Sequence, residues 1–164
     1  RRPFHPPAPE SPTLRDLNVS QCAAITGAVT RRVTLVQGPP GTGKTHTSLR
    51  ILQYWLQSRL HMGASYDGCL LATSDSNIAV DNLLEGLIKM KVKAVRLGRP
   101  DRIRPELLNY CVDVPKEGQL QVDWGMKMRM IKEADVVCAT CVAMGSDQLE
   151  GKLFSGVLLD EASQ

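Results

Sequence analysis

Gly38-Pro39-Pro40-Gly41-Thr42-Gly43-Lys44-Thr45 is the first stretch whose residue types and spacing could do chemistry. It fits G-x-x-x-x-G-K-[ST] at every fixed position. Glycines there let backbone N–H groups converge on an anion without side-chain clash. A helix starting at Lys44 adds the positive end of its dipole. Lys44 has the reach for β- and γ-phosphates, and the Thr45 hydroxyl suits Mg²⁺. A second stretch, Val157-Leu158-Leu159-Asp160-Glu161, delivers two adjacent carboxylates to the end of an apolar run. Ligands of α/β sheets bind at the carboxyl ends of strands. Asp160 is expected to hold the Mg²⁺, and Glu161 to orient and deprotonate an attacking water. The plain alternatives are a glycine-rich turn with no ligand and a strand ending in two solvated acids. A bare turn, however, has no need of Lys and Thr at those two places.

The elements around these residues read as an α/β fold. Val33–Gln37 is β-rich and bounded by the Gly/Pro loop, so it predicts a buried strand. A short helix is expected over residues 21–28, capped by Asn18 or Ser20. A longer one is expected over 44–60, with Leu49, Leu52, Leu56 and Leu60 as its apolar stripe. Further strands are expected at 69–73, 93–97, 136–139 and 156–160, and a helix at 78–90 with Val80, Leu83, Leu84, Leu87 and Ile88 inward. Pro105 and Pro115 punctuate residues 101–133, where helices near 105–110 and 119–132 are plausible. Strands alternating with helices predict a parallel sheet.

Composition excludes some classes. The chain has 164 residues, 43% of them apolar, enough for one packed domain. A net charge of +3 does not by itself argue for a nucleic-acid partner. Between Lys89 and Arg104, however, seven basic residues (Lys89, Lys91, Lys93, Arg96, Arg99, Arg102, Arg104) stand against Asp101 alone. A phosphate-contacting face and a merely solvated one are both open there. Five cysteines at irregular spacing argue against a disulfide framework and for a reducing compartment. Cys138-x-x-Cys141 has ligand spacing but nothing to complete a zinc site. No apolar run reaches membrane-spanning length. The opening RRPFHPPAPESP predicts a Pro-rich linker over residues 1–14.

The octapeptide alone also suits AAA+ ATPases. From Lys44 to Asp160, however, lie 116 residues (160 − 44), about twice the interval expected of an AAA+ module. The motifs filling that interval resemble those of superfamily 1B helicases, in the group with the regulator-of-nonsense-transcripts and senataxin-type RNA helicases. LNVSQ (residues 17–21) looks like that family's adenine-reading element, which makes Gln21 the adenine reader. ATSDSNIAVDNLL (72–84) resembles motif Ia, so Ser76 and Asn77 are expected at the nucleic-acid groove, with Asp81 supporting the turn. VRLGRPDR (95–102) resembles the next motif and places Arg96 and Arg99 toward the strand. VVCATCVAMGSDQL (136–149) resembles the strand and T-C turn, with Thr140 as a backbone contact. DEASQ (160–164) is similar to the family's Walker B, and Gln164 would sense the γ-phosphate.

The resemblance covers residues 17–100 and 134–164. It implies a P-loop NTPase: a RecA-like parallel sheet flanked by helices over residues 15–164, incomplete at its C-terminus. Only about 33 residues (101–133) stand where the nonsense-transcript helicases carry a sizeable helical insertion. The implied activity is ATP hydrolysis coupled to movement along single-stranded RNA or DNA. It belongs to a longer, monomeric, intracellular protein, cytoplasmic or nuclear, that supplies a second RecA-like domain. This piece alone is expected to turn over little ATP. A nucleotide-gated protein-binding ATPase module and an AAA+ type ATPase are the rival readings.

Overall fold

The computed structural model describes residues 16–62, 68–115 and 121–163. The expected linker at 1–14 and Gln164 lie outside the described residues. The chain forms two compact units, residues 1–66 and 67–164.

In the first unit, helix α1 (Val19–Thr30) begins with a reciprocal cap. The Asn18 side chain accepts from the Gln21 amide at 2.9 Å, and the Gln21 side chain accepts from the Asn18 amide at 3.0 Å. Two donors that a helix start leaves open are thereby satisfied. Of the two candidate caps, Asn18 is the one used. Helix α2 (Lys44–Met62) follows the glycine-rich loop and packs against α1. Leu52 is fully buried, and Arg50 reaches Asp16 at 2.8 Å.

Val33–Gln37 departs from expectation. The segment joins no ladder among the described residues, and Leu35 is 90% exposed. The described residues of this unit form helices, turns and loop only, so they offer no strand to pair with. A β-rich sequence without a neighbour cannot satisfy its backbone groups as a strand does.

In the second unit the strands are β1 (Leu70–Ser74), β2 (Ala94–Leu97), β3 (Val136–Thr140) and β4 (Gly156–Asp160). All pairings are parallel, in the spatial order β2-β3-β1-β4. This is the parallel α/β sheet of a P-loop NTPase fragment, with each strand within a residue of its predicted span. Helix α3 (Asn77–Lys89) packs against β1, β2 and β3. Its Leu83, Leu84 and Leu87 are fully buried. Each such burial is worth about 1.5–3 kcal/mol, against tenths for helix propensity, so packing holds α3 in place.

Lys91, in the left-handed region at φ +59°, closes α3. Its amide donates to the Ile88 carbonyl and the Val92 amide to the Leu87 carbonyl, a Schellman-type end that turns the chain into β2. On the opposite face, Leu71, Val95, Leu97, Val137 and Ala139 share a core with Ile131 of helix α4 (Trp124–Glu133). α4 is shorter than the expected 119–132 helix at its start, and the expected 105–110 helix is a 3-10 turn. The inner strands are buried on both faces. β4 alternates instead, with Leu158 and Asp160 buried and Val157 and Leu159 about half exposed.

Candidate nucleotide and strand-contact site

Three residues come together because of register. Ser74, the last residue of β1, stands opposite Thr140 on β3 and Asp160 on β4. The carboxyl ends of three adjacent strands therefore form one polar rim. The sheet order puts β3 and β4 on opposite sides of β1, the kind of crossover point where open α/β sheets bind ligands.

Beyond the rim the chain turns sharply. Glu161 sits at φ +56°, a left-handed conformation uncommon for a residue with a Cβ. Its amide donates to Asp160 Oδ1 at 3.1 Å. Its carboxylate Oε2 accepts from Ser76 Oγ at 3.1 Å and lies 3.4 Å from Ser74 Oγ. Ser76 also caps α3, accepting from the Ala79 amide at 3.1 Å. Thr140 is buried, and its hydroxyl accepts from the Ala143 amide at 3.2 Å, shaping the turn after β3.

The first unit carries the glycine-rich loop. Gly41 and Gly43 lie at φ +76° and +80°, a conformation that successive N–H groups use to surround an anion. Lys44 Nζ donates to the carbonyls of Gly38 at 2.8 Å and Pro39 at 3.0 Å, which hold its charge over the loop. Thr42 Oγ1 donates to the Pro39 carbonyl at 2.8 Å. A Cβ on Gly38 would stand 2.9 Å from that hydroxyl oxygen, so the tight turn requires glycine. A Cβ on Gly43 would stand 2.9 Å from Gln21 Nε2, which donates to the Thr42 carbonyl at 3.2 Å. Helix α1 thus braces the loop through the residue expected to read adenine. Pro40 lies exposed at the tip, and Thr45 opens α2.

These residues fit a triphosphate. The loop offers convergent N–H groups and an ammonium whose carbonyl partners can be exchanged for phosphate oxygens. Among the described residues no cluster of three or more His, Cys, Asp or Glu could hold a metal alone.

The basic run behaves differently from expectation. Arg96 is wholly buried, and its Nε donates to Asp81 Oδ1 at 3.0 Å. Its Nη2 donates to Asn77 Oδ1 at 2.8 Å. A guanidinium withdrawn from solvent and shared between these partners does not face a groove, so Arg96 is corrected to a structural residue. Asn77, half-buried, is joined to the same link. Arg104 pairs with Glu85 at 3.0 Å, and Lys89 pairs with Glu85 as well. The two cations hold the Glu85 carboxyl below its ordinary range, with the Lys89 hydrogen bond the larger influence. Arg99 and Arg102 share Asp101 and remain exposed.

Two residues of the site carried no functional signal in the sequence. Ser74 follows Thr73 and precedes Asp75 and Ser76, so one hydroxyl among polar neighbours was the available clue. Arg104 lay among other cations, and only the fold singles it out. All five cysteines are free thiols. Burial pushes the Cys138 thiol up to about 12, too high for an easy thiolate ligand.

A family model described as an AAA domain matches residues 16–129. The chain is 32% identical over 182 residues to a Neurospora crassa "Regulator of nonsense transcripts 1 homolog", covering 93% of this chain and 16% of the relative. It is 31% identical over 192 residues to the Saccharomyces cerevisiae "ATP-dependent helicase NAM7", covering 98% of this chain and 19% of the relative. Identity is 28% over 194 residues to the Schizosaccharomyces pombe "DNA polymerase alpha-associated DNA helicase A", at 92% of this chain and 28% of the relative. The chain thus spans between about a sixth and a quarter of these relatives' lengths. With its loop, its rim of strand ends and these kin, the chain belongs to the AAA domain family and is similar to one part of the regulator-of-nonsense-transcripts relatives.

Proposed function

We propose that this chain is the ATP-binding part of a longer helicase or translocase that couples ATP hydrolysis to movement along a single strand of nucleic acid. The observation that carries the reading is the shared rim of Ser74, Thr140 and Asp160, with Ser76 and Glu161 touching beside it. Residues assigned to phosphate chemistry and residues assigned to strand contact meet there within one hydrogen bond.

In this reading the loop from Gly38 to Thr45 cradles the phosphates, and Lys44 neutralises their charge. Gln21 reads adenine from its place beside Thr42, and Gln164 senses the γ-phosphate. Thr45 and Asp160 would each offer an oxygen to Mg²⁺, which would supply charge compensation for the transferred phosphoryl group. Glu161 accepts the proton of the attacking water. Ser76, Thr140 and the exposed Arg99 contact the strand backbone. A second RecA-like domain supplies the remaining catalytic groups.

The test is ATP turnover by the full-length protein with and without a single-stranded oligonucleotide. Stimulation is expected in the parent, and Glu161→Gln should bind ATP yet lose hydrolysis. Turnover that no RNA or DNA strand accelerates would instead favour the nucleotide-gated protein-binding module.

A further inference from the structure

We propose that Ser76, supported from below by Ser74, is a positioning residue that restrains Glu161 and releases it when a strand phosphate reaches the start of α3. The inference rests on the reading of Glu161 as the base.

The Ser76 hydroxyl has one proton. Its oxygen already accepts from the Ala79 amide at 3.1 Å, and its proton goes to Glu161 Oε2 at 3.1 Å. Ser74, fully buried on the strand beneath, is placed to donate to the same carboxylate oxygen at 3.4 Å. Both donors thus converge on one atom of the base. Backbone geometry aims the carboxylate at them: with φ at +56°, Glu161 turns back over the strand ends. Such a conformation persists only where its surroundings hold it. Here the Asp160 carboxylate takes the Glu161 amide while the two serines take its side chain.

Both accepting positions of Glu161 Oε2 are thereby taken, which leaves that oxygen none for a nucleophilic water. Glu161 held in this way is poorly placed to activate a nucleophile. A phosphate approaching the α3 N-terminus is an acceptor only, so from this hydroxyl it competes for the same single proton that Glu161 holds. It also carries the same charge sign as Glu161. Competition for the proton and like-charge repulsion both push Glu161 off Ser76. Strand occupancy is thereby reported to the base through a single hydroxyl, with no movement of the sheet required.

The test uses the full-length protein and measures kcat and KM for ATP with and without an oligouridylate strand. Ser76→Ala should raise strand-independent kcat about tenfold, the lower end of what losing a hydrogen bond to a charged group yields. KM for ATP should stay unchanged, and the stimulated-to-unstimulated ratio should collapse. Ser76→Asp keeps an acceptor for the Ala79 amide but offers no proton, and should behave like the alanine variant; this separates restraint from helix capping. Ser76→Thr keeps both functions and should restore the parental ratio. Ser74→Ala should shift the ratio in the same direction but less. An unchanged or lowered strand-independent kcat in both Ser76→Ala and Ser76→Asp, with Glu161→Gln inactive, would overturn the restraint while leaving the base assignment standing. Normal hydrolysis by Glu161→Gln would remove the base assignment itself, and the restraint with it.

Discussion

Arg96 Nε donates to Asp81 Oδ1 across 3.0 Å with both side chains withdrawn from solvent. Asp81 Oδ2 accepts from the Arg104 amide at 3.0 Å, and Arg96 reaches on to the Leu97 carbonyl and Asn77. One ion pair therefore joins α3, β2 and the chain beyond β2. Removing one partner from a buried pair leaves the other charge uncompensated, at a cost of about 3–5 kcal/mol. Arg96→Ala and Asp81→Ala should each lower the urea midpoint by the equivalent of that amount. Arg96→Met with Asp81→Leu should recover much of it. An undisturbed midpoint combined with weaker strand binding would return Arg96 to the groove.

Lys44→Ala should abolish ATP binding, read by equilibrium titration with a fluorescent ATP analogue. The two carbonyls that now hold its ammonium would lose a partner at the loop, not in the core, so the melting temperature should move little. Retained nucleotide affinity would refute the loop's assignment.

Gln21→Ala removes the side-chain half of the reciprocal cap and the contact to the Thr42 carbonyl, while the Asn18 side chain keeps its bond from the backbone amide at that position. Each lost hydrogen bond costs about 0.5–1.5 kcal/mol, which a denaturation curve resolves. If Gln21 also reads the base, preference for ATP over GTP should fall. A loss of stability with unaltered preference would leave Gln21 as a brace for the loop and nothing more.

Cys138 makes a pH prediction. Desolvation by burial raises its thiol to about 12, with smaller influences from Arg96, which lowers it, and Asp81, which raises it. In an unfolded chain a cysteine loses its proton near about 8.5. Above that pH the unfolded state gives up a proton that the folded state keeps. The contribution is therefore complete below about pH 8.5 and lost as pH climbs toward 12. Cys138→Ala should flatten the alkaline fall of the denaturation midpoint relative to the parent. In the native protein at pH 8, iodoacetamide should label Cys22 and Cys141, which are partly exposed, ahead of Cys138. Equal labelling rates would contradict the burial.

Local pattern made the sheet legible. Short apolar runs such as LLATS and VVCAT, bounded by polar turns, fall on β1 and β3 within a residue. The loop was legible for the same reason, since its glycines are needed by backbone angles that neighbouring residues already fix. Pairing was not legible. Val33–Gln37 has strand composition but joins no ladder among the described residues, because a strand is a property of two segments and composition describes one. Arg96 misled in a similar way. A cation after a β-branched run reads as solvated until Asp81, fifteen residues earlier, is folded onto it. The Ser76–Glu161 contact joins residues 85 apart in sequence, so only the parallel register brings them within reach.

The double use of Asp81 fixes a length. One oxygen grips the side chain of Arg96 and the other grips the backbone of Arg104, so a single carboxylate measures the chain between them. During descent, inserted residues in that span would have to bulge without moving either end. Val112 and Asp113 are tied back to Arg96 and Gly98 as well, so growth is cheaper beyond Asp113, and that is where lineages should differ most in loop size.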